Sequence, residues 1–461
     1  MSSLPRPAIP PLAGLASYAE AARPGLSVDQ TVARMRHYNY VQRRLSELAA
    51  AFMNPTPEWE VKTALSLHMW LDVEHCHALR ERVAELRRPP LYLDNVPDAR
   101  LATLMDETLR AVDTLELLTG IYGVIRPALL SAYENHLAET NPIFDYPTCR
   151  LLRIAVQDQK QMIEWGQQAI AALTADDTAR DRAQIWADHL EAYLRQAGGI
   201  TGQEPIPTVV PPAPRATEPF VPNFEPQRDQ PLSGRFNFTQ RYHTIYNDPA
   251  VDLDERILAL MYKRLHEIDV PEMMSSILLE THDKPWEHYR DISRQLWDEC
   301  RHALMGEIWF VSRGIDPHAY PNHVGWSMWM NLDLTALERH TVLYSIEQGL
   351  MDGSRGKRYE WQMAEQAGDP LALTIQDYDW ADEVLHARIG RRWLIPASGD
   401  SRTVMARAAE LGKRGSPTII GCAKLTPQID WWPQFVRATL GKASSAQPMA
   451  ADQTNLPTAG K

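Results

Sequence analysis

The sequence predicts an all-α protein made of two fused four-helix bundles, the first a degraded copy of the second. Three observations predict it. From Val28 onward apolar residues recur at helical spacing, and β-branched runs with period-two alternation are scarce. Residues 198–235 interrupt this pattern, with nine prolines between Pro205 and Pro231, the composition of a semi-rigid extended linker. The chain after that linker also repeats the chain before it. One offset of 225 carries Glu74 onto Glu299, His77 onto His302, Glu47 onto Glu272, Asp158 onto Glu383 and Gln161 onto His386.

The elements follow in order. Residues 1–26 are rich in Pro, Ala and Ser and read as a flexible N-terminus. Within 27–197, a helix is expected from Thr31 to Phe52, ended by Asn54-Pro55. A second starts at Pro57-Glu58-Trp59, with Pro near its first turn, and stops at Arg87-Arg88-Pro89-Pro90. A third covers roughly Leu101–Leu137, kinked at Pro127. A fourth spans Pro147–Ala172, and a further helix spans Asp176–Gln196. In 236–440 the pattern recurs. A helix from Asp252 to about Thr281 carries Pro271 and should kink or restart there. Lys284-Pro285-Trp286 opens the next, which runs through Trp309. A loop (Pro317–Asn331) leads to a helix from Thr335 to Met351, broken at Asp352-Gly353-Ser354. The last begins at Asp369-Pro370 and ends before Pro396. Residues 441–461 are expected to be disordered.

At 461 residues the chain suggests two domains. No apolar run approaches the ~20 residues of a membrane helix, and Met1–Leu15, which lacks a basic stretch followed by an apolar core, is not expected to be a signal peptide. Four cysteines make no disulfide framework, which points to the cytoplasm. A net charge of −12 argues against a nucleic-acid partner, whose phosphates want clustered Lys and Arg.

Chemistry concentrates in two pentads, Asp298-Glu299-Cys300-Arg301-His302 and Asp382-Glu383-Val384-Leu385-His386. On a helix, residues three apart share a face, so each pentad offers a carboxylate and an imidazole together, half a site for a divalent transition metal. Their apolar neighbours (Leu296, Trp297, Ala303, Leu304, Trp380, Val384, Leu385) would bury these charges. Burial without a metal costs several kcal/mol per group. Two more helices must each supply a carboxylate. Glu347 lies 36 residues before Glu383, and Glu272 lies 27 before Glu299, with Glu267 the alternative 32 before it. Glu272 is preferred because Glu47 occupies the matching place in the first half, where Glu267 meets only Gln42. Asp298 and Asp382 are suited to accept a hydrogen bond from the His of the neighbouring helix, and Arg301 to offset part of the buried acid. In the first half Asp158 and Gln161 replace the last Glu and His, and Tyr122 stands for Glu347, so that half is expected to keep the bundle without metal. His75-Cys76-His77 and Cys300 read as structural, and Trp326 and Trp329 as core packing.

At these residues the sequence resembles the ferritin-like di-iron carboxylate proteins. The first pentad matches the D-E-x-R-H signature of bacterial multicomponent monooxygenase hydroxylases, and the second resembles its other copy. The spacings are also similar to a ferritin-like group related to tRNA-hydroxylating enzymes. Asp379 stands where the arylamine N-oxygenase branch carries an extra His. The resemblance implies a ferritin-like fold and the metal ligands Glu272 (or Glu267), Glu299, His302, Glu347, Glu383 and His386. It implies two iron ions, with Mn/Fe also served by such ligands, and O₂ as co-substrate. The activity expected is a non-haem di-iron oxygenase or oxidase that hydroxylates, desaturates or cleaves a small organic substrate. No flavin, nicotinamide or Fe–S motif occurs, so an external electron donor is expected; a homodimer stays open. The rival expectations are a ferroxidase and a non-catalytic ferritin-like scaffold.

Overall fold

Every regular element among the described residues is helical, with no strand. The computed structural model describes residues 9–86, 92–229, 232–239, 241–351 and 355–447. The helix stop expected at 87–90, the break at 352–354, residues 1–8 and most of the C-terminal tail lie outside these residues. Residues 9–26, expected to be flexible, hold a 3-10 turn (Leu12–Gly14) and a short helix (Tyr18–Ala21) started by a Ser17/Glu20 capping box. Two units form. One comprises Met1–Leu48 and Leu71–Val221, the other Ala49–Trp70 and Pro222–Lys461. The division therefore differs from a cut at the proline-rich stretch: residues 49–70, early in the chain, belong with the second unit.

In the first unit, α1 (Val28–Phe52), α2 (Trp59–Glu85), α3 (Ala99–Thr108), α4 (Arg126–Glu139), α5 (Tyr146–Leu173) and α6 (Asp177–Gln196) carry the helical spacing of the sequence, although the ends of α1 and α2 at 49–70 pass to the second unit. The stretch expected as one helix from Leu101 to Leu137 is divided. After α3 the chain restarts at Asp113, whose side chain accepts from the Glu116 N–H as an N-cap. It then runs through a π-helical segment, Thr119–Ile125, into α4. Pro127 falls in the first turn of α4, where a missing N–H costs nothing. The segment Thr114–Glu139 is also long and apolar enough to cross a membrane, contrary to the expectation from run length. Two-thirds of its apolar window (67%) is buried inside the protein, as in a core helix.

Some polar groups in this interior are paired with one another. Arg126 binds Asp72 (2.7 Å) and Gln159, and Gln42, His75 and Asp158 form a chain of 2.9 Å contacts.

The second unit contains α7 (Leu253–His266), α8 (Asp269–Glu280), α9 (Trp286–Val311), α10 (Gly325–Asp333), α11 (Ala336–Gly349), α12 (Lys357–Ala367), α13 (Pro370–Ser398) and α14 (Ser401–Lys413). Helix α8 packs on α9, α9 on α13, α13 on α11, and α11 back on α8, a closed ring of four. Helices α11 and α13 start on strong caps: a Thr335/Glu338 capping box, and Asp369 accepting from the N–H groups of Leu371 and Ala372. Two elements differ from expectation. Part of the loop 317–331 is helix α10, and α13 continues through Pro396 to Ser398.

Pro271 sets the geometry between α7 and α8. It has no N–H to give the carbonyl of Glu267, and its ring would crowd that carbonyl in a continuous helix. The helix breaks at Glu267-Ile268, four residues before the proline that causes it.

Candidate metal centre

The break places Glu267 at a corner rather than inside a helix. Helix α9 brings Glu299 and His302, α11 brings Glu347, and α13 brings Glu383 and His386, with Asp379 one turn earlier on the same face. Glu299, His302, Glu347, Asp379, Glu383 and His386 are buried, and Glu267 is nearly so.

These side chains meet. Glu299, Glu347, Glu383 and His386 each present a ligand atom within 4.8 Å of the others, as do Glu267, Glu299 and His302, and also His302, Asp379 and Glu383. His386 Nδ1 lies 3.0 Å from Glu299 Oε1 and 3.4 Å from Glu383 Oε2. His302 Nδ1 lies 3.5 Å from Glu299, 3.5 Å from Asp379 and 3.6 Å from Glu267. Glu299 thus faces His386 while His302 faces Asp379, so α9 and α13 run antiparallel.

The far nitrogens point outward. His302 Nε2 lies 3.2 Å from Asp382 and His386 Nε2 3.5 Å from Asp298, each carboxylate on the opposite helix. Arg301 pairs with both Asp298 and Asp382, and Arg294 with Asp298. The His302 contact is a hydrogen bond and the His386 contact an ion-pair distance only; both Nδ1 atoms face the cluster.

Glu272, the preferred ligand of the sequence reading, is elsewhere. Its carboxylate is bound by Lys62 and Arg228 and accepts from Ser327 at 2.9 Å. The partners that claim it are 210 and 44 residues away, a distance over which sequence spacing carries no signal. Glu267, the alternative, is the acid that the Pro271 break delivers.

Three members were not anticipated as such: Arg264, Lys357 and Asp379. Arg264 binds Asp379 and, at 2.8 Å, Glu267. Lys357 lies 2.8 and 2.9 Å from the two oxygens of Asp379 and 2.9 Å from Glu383 Oε1. Arg264 is three residues before Glu267 and Asp379 four before Glu383, spacings that share a helix face; Lys357, from a separate short helix, carries no such cue.

The electrostatics follow from this crowding. Burial pushes Glu347 well above the usual carboxylate range, and the neighbouring charges of Glu383 and Glu299 push it further. Burial likewise lifts Glu267 to about 7 despite Arg264 and Lys357. Burial opposes a charged His302, but Asp379, Asp382 and Glu299 outweigh it and raise the ring to about 10.

No family model, curated protein or solved structure matches this chain.

What the site can do chemically is therefore judged from its own donors. Glu267 Oε2, Glu299 Oε1, His302 Nδ1, Glu347 Oε2, Glu383 Oε2 and His386 Nδ1 are all buried without a hydrogen-bond partner. Buried polar atoms are rarely left so, because each forfeits its hydration. Together these four carboxylate oxygens and two imidazole nitrogens are donors able to hold metal ions. The residues present fit such ions.

Proposed function

We propose that this protein is a ferritin-like, carboxylate-bridged dinuclear metal protein that uses O₂ to oxidise a small organic substrate, with electrons from an external donor. The observation that carries this reading is the convergence of six buried ligand atoms that make no hydrogen bond, from α9, α11, α13 and the α7–α8 corner. Glu299 sits in both ligand groups and is suited to bridge. Bound ferrous ions would supply the electrons that activate O₂. The chain's own part is to hold Nδ1 of both histidines inward through Asp298 and Asp382, and to keep bulk water from the site by burial.

The finer architecture is proposed with it: each unit descends from one four-helix bundle. The closed ring α8–α9–α13–α11 supports this. Each unit also has a tyrosine ring laid on a glycine, Tyr122 on Gly166 and Tyr344 on Gly390, although the offset of 225 pairs neither the tyrosines nor the glycines. Gln42 and Asp158 of the first unit's Gln42–His75–Asp158 chain would then stand where the second carries Glu267 and Glu383.

The test is anaerobic loading with ferrous iron followed by a pulse of O₂. A transient visible band, about two irons per chain and loss of both in Glu347→Ala are expected. No band and no O₂ uptake by iron-loaded protein would refute the reading.

A further inference from the structure

The donor set does not treat its two cation positions alike. The first position, Glu299, Glu347, Glu383 and His386, receives one fixed cation: Lys357 on Glu383 Oε1, with Oε2 left without a partner. Glu347 is held by a neutral group, the Gln295 amide at 3.2 Å. The second position, Glu267, Glu299 and His302 with Asp379 beside them, is pressed by two cations. Arg264 binds Glu267 and Asp379, and Lys357 clamps both oxygens of Asp379. The His302–Asp379–Glu383 group, itself spaced for an ion, is spanned by that ammonium. Both cations are fully buried, so solvent does not screen them.

Arg264, Lys357 and Asp379 also come as a set. The offset of 225 that relates the two halves puts Asn39, Ala132 and Ile154 in their places. The charges that unbalance the site are therefore found only in the half that has the ligands.

We infer that the two positions fill in order, with Lys357 as an internal counter-cation that keeps the Glu267–His302 position weaker than the Glu347–His386 position. The inference rests on the dinuclear reading above. An arginine stays charged and planar, whereas the ammonium of Lys357 rides on a flexible stem and can swing from Asp379 when a second ion arrives. Ordered filling gives the protein a defined state with one ion bound, from which a different second metal can be taken up.

The experiment is a titration of the metal-free, full-length protein with Mn(II) in the absence of O₂, followed by electron paramagnetic resonance and by calorimetry. The first equivalent is expected to give the six-line spectrum of an isolated ion. The spin-coupled spectrum should grow only after it, with a second step weaker by roughly tenfold or more. Lys357→Met should tighten the second step by about tenfold and, because Lys357 also sits on Glu383 Oε1, tighten the first by less, while Lys357→Arg, which keeps the charge, should leave the second weak. A coupled spectrum growing in proportion from the first addition overturns the ordering while leaving the dinuclear reading in place. An unchanged second step in folded Lys357→Met also overturns it. Should Lys357→Met not fold, the wild-type spectral course decides alone. Absence of any bound Mn(II) removes both the ordering and the dinuclear reading.

Discussion

Glu267 and Glu272 are five residues apart and differ completely in what they touch. Glu272 is the anion of a buried ion network, held by Lys62, Arg228 and Ser327. Burial opposes its charge, yet Arg228 and Lys62 prevail and hold its pKa below the usual range. Removing that charge strands two buried cations, a loss on the order of 3–5 kcal/mol. Glu272→Gln should therefore lower stability by about that much in chemical denaturation, while metal stoichiometry per folded chain is unchanged. Glu267→Gln should do the reverse, with less effect on folding and loss of an ion in elemental analysis. If Glu272→Gln alone lost metal, the placement of the two acids would be wrong. Sequence reasoning reached the pentads because a helix converts i, i+3 spacing into geometry. It preferred Glu272, which the structure places in an ion network, over its alternative Glu267, because the Glu47 match carries no information on what Pro271 does to the carbonyl of residue 267.

At the scale of elements, the site depends on how closely α7 and α9 approach. A Cβ added to Gly306 would fall 2.4 Å from the backbone nitrogen of Leu265, two residues from Glu267 on one side and one turn from His302 on the other. Backbone cannot yield as a side-chain tip does, so Gly306→Ala should cost about 1–3 kcal/mol and loosen the second metal position. Gly349 in α11 has nothing within 4 Å of such a Cβ, and Gly349→Ala should be neutral or stabilise by up to about 1 kcal/mol. Equal melting temperatures for the two variants would contradict the close approach. The helices that form this crossing were legible from apolar spacing, caps and prolines. The π-helical segment 119–125, helix α10 and the continuation of α13 past Pro396 were not, since each departs from local propensity under packing that spacing does not encode.

For the whole molecule, acid should be destabilising in a defined window. Burial, aided by Arg34, holds His136 at about 4 against an ordinary 6.5, and burial does the same to His288. Between those values the unfolded chain binds protons that the folded one refuses, so stability falls as pH drops from about 6.5 toward 4 and is flat in these groups above that range. His136→Gln should reduce the slope of unfolding free energy against pH there by up to ~1.4 kcal/mol per unit. An unchanged slope would show that His136 titrates normally. The all-helical class was legible because period-two patterning is absent. The true division of the chain was not, since the linker's composition marks a break in sequence while contacts assign residues 49–70 to the second unit.

That assignment has a consequence for the newborn chain. Lys62 leaves the ribosome 210 residues ahead of Glu272, an interval of roughly 10–40 s at ordinary elongation rates. Over that time Ala49–Trp70 must remain uncommitted while the residues around it fold. A C-terminal piece beginning at residue 222 lacks the segment altogether. It should stay largely unfolded by circular dichroism until a peptide covering 49–70 is supplied in trans, and a piece that folds unaided would show the segment to be dispensable.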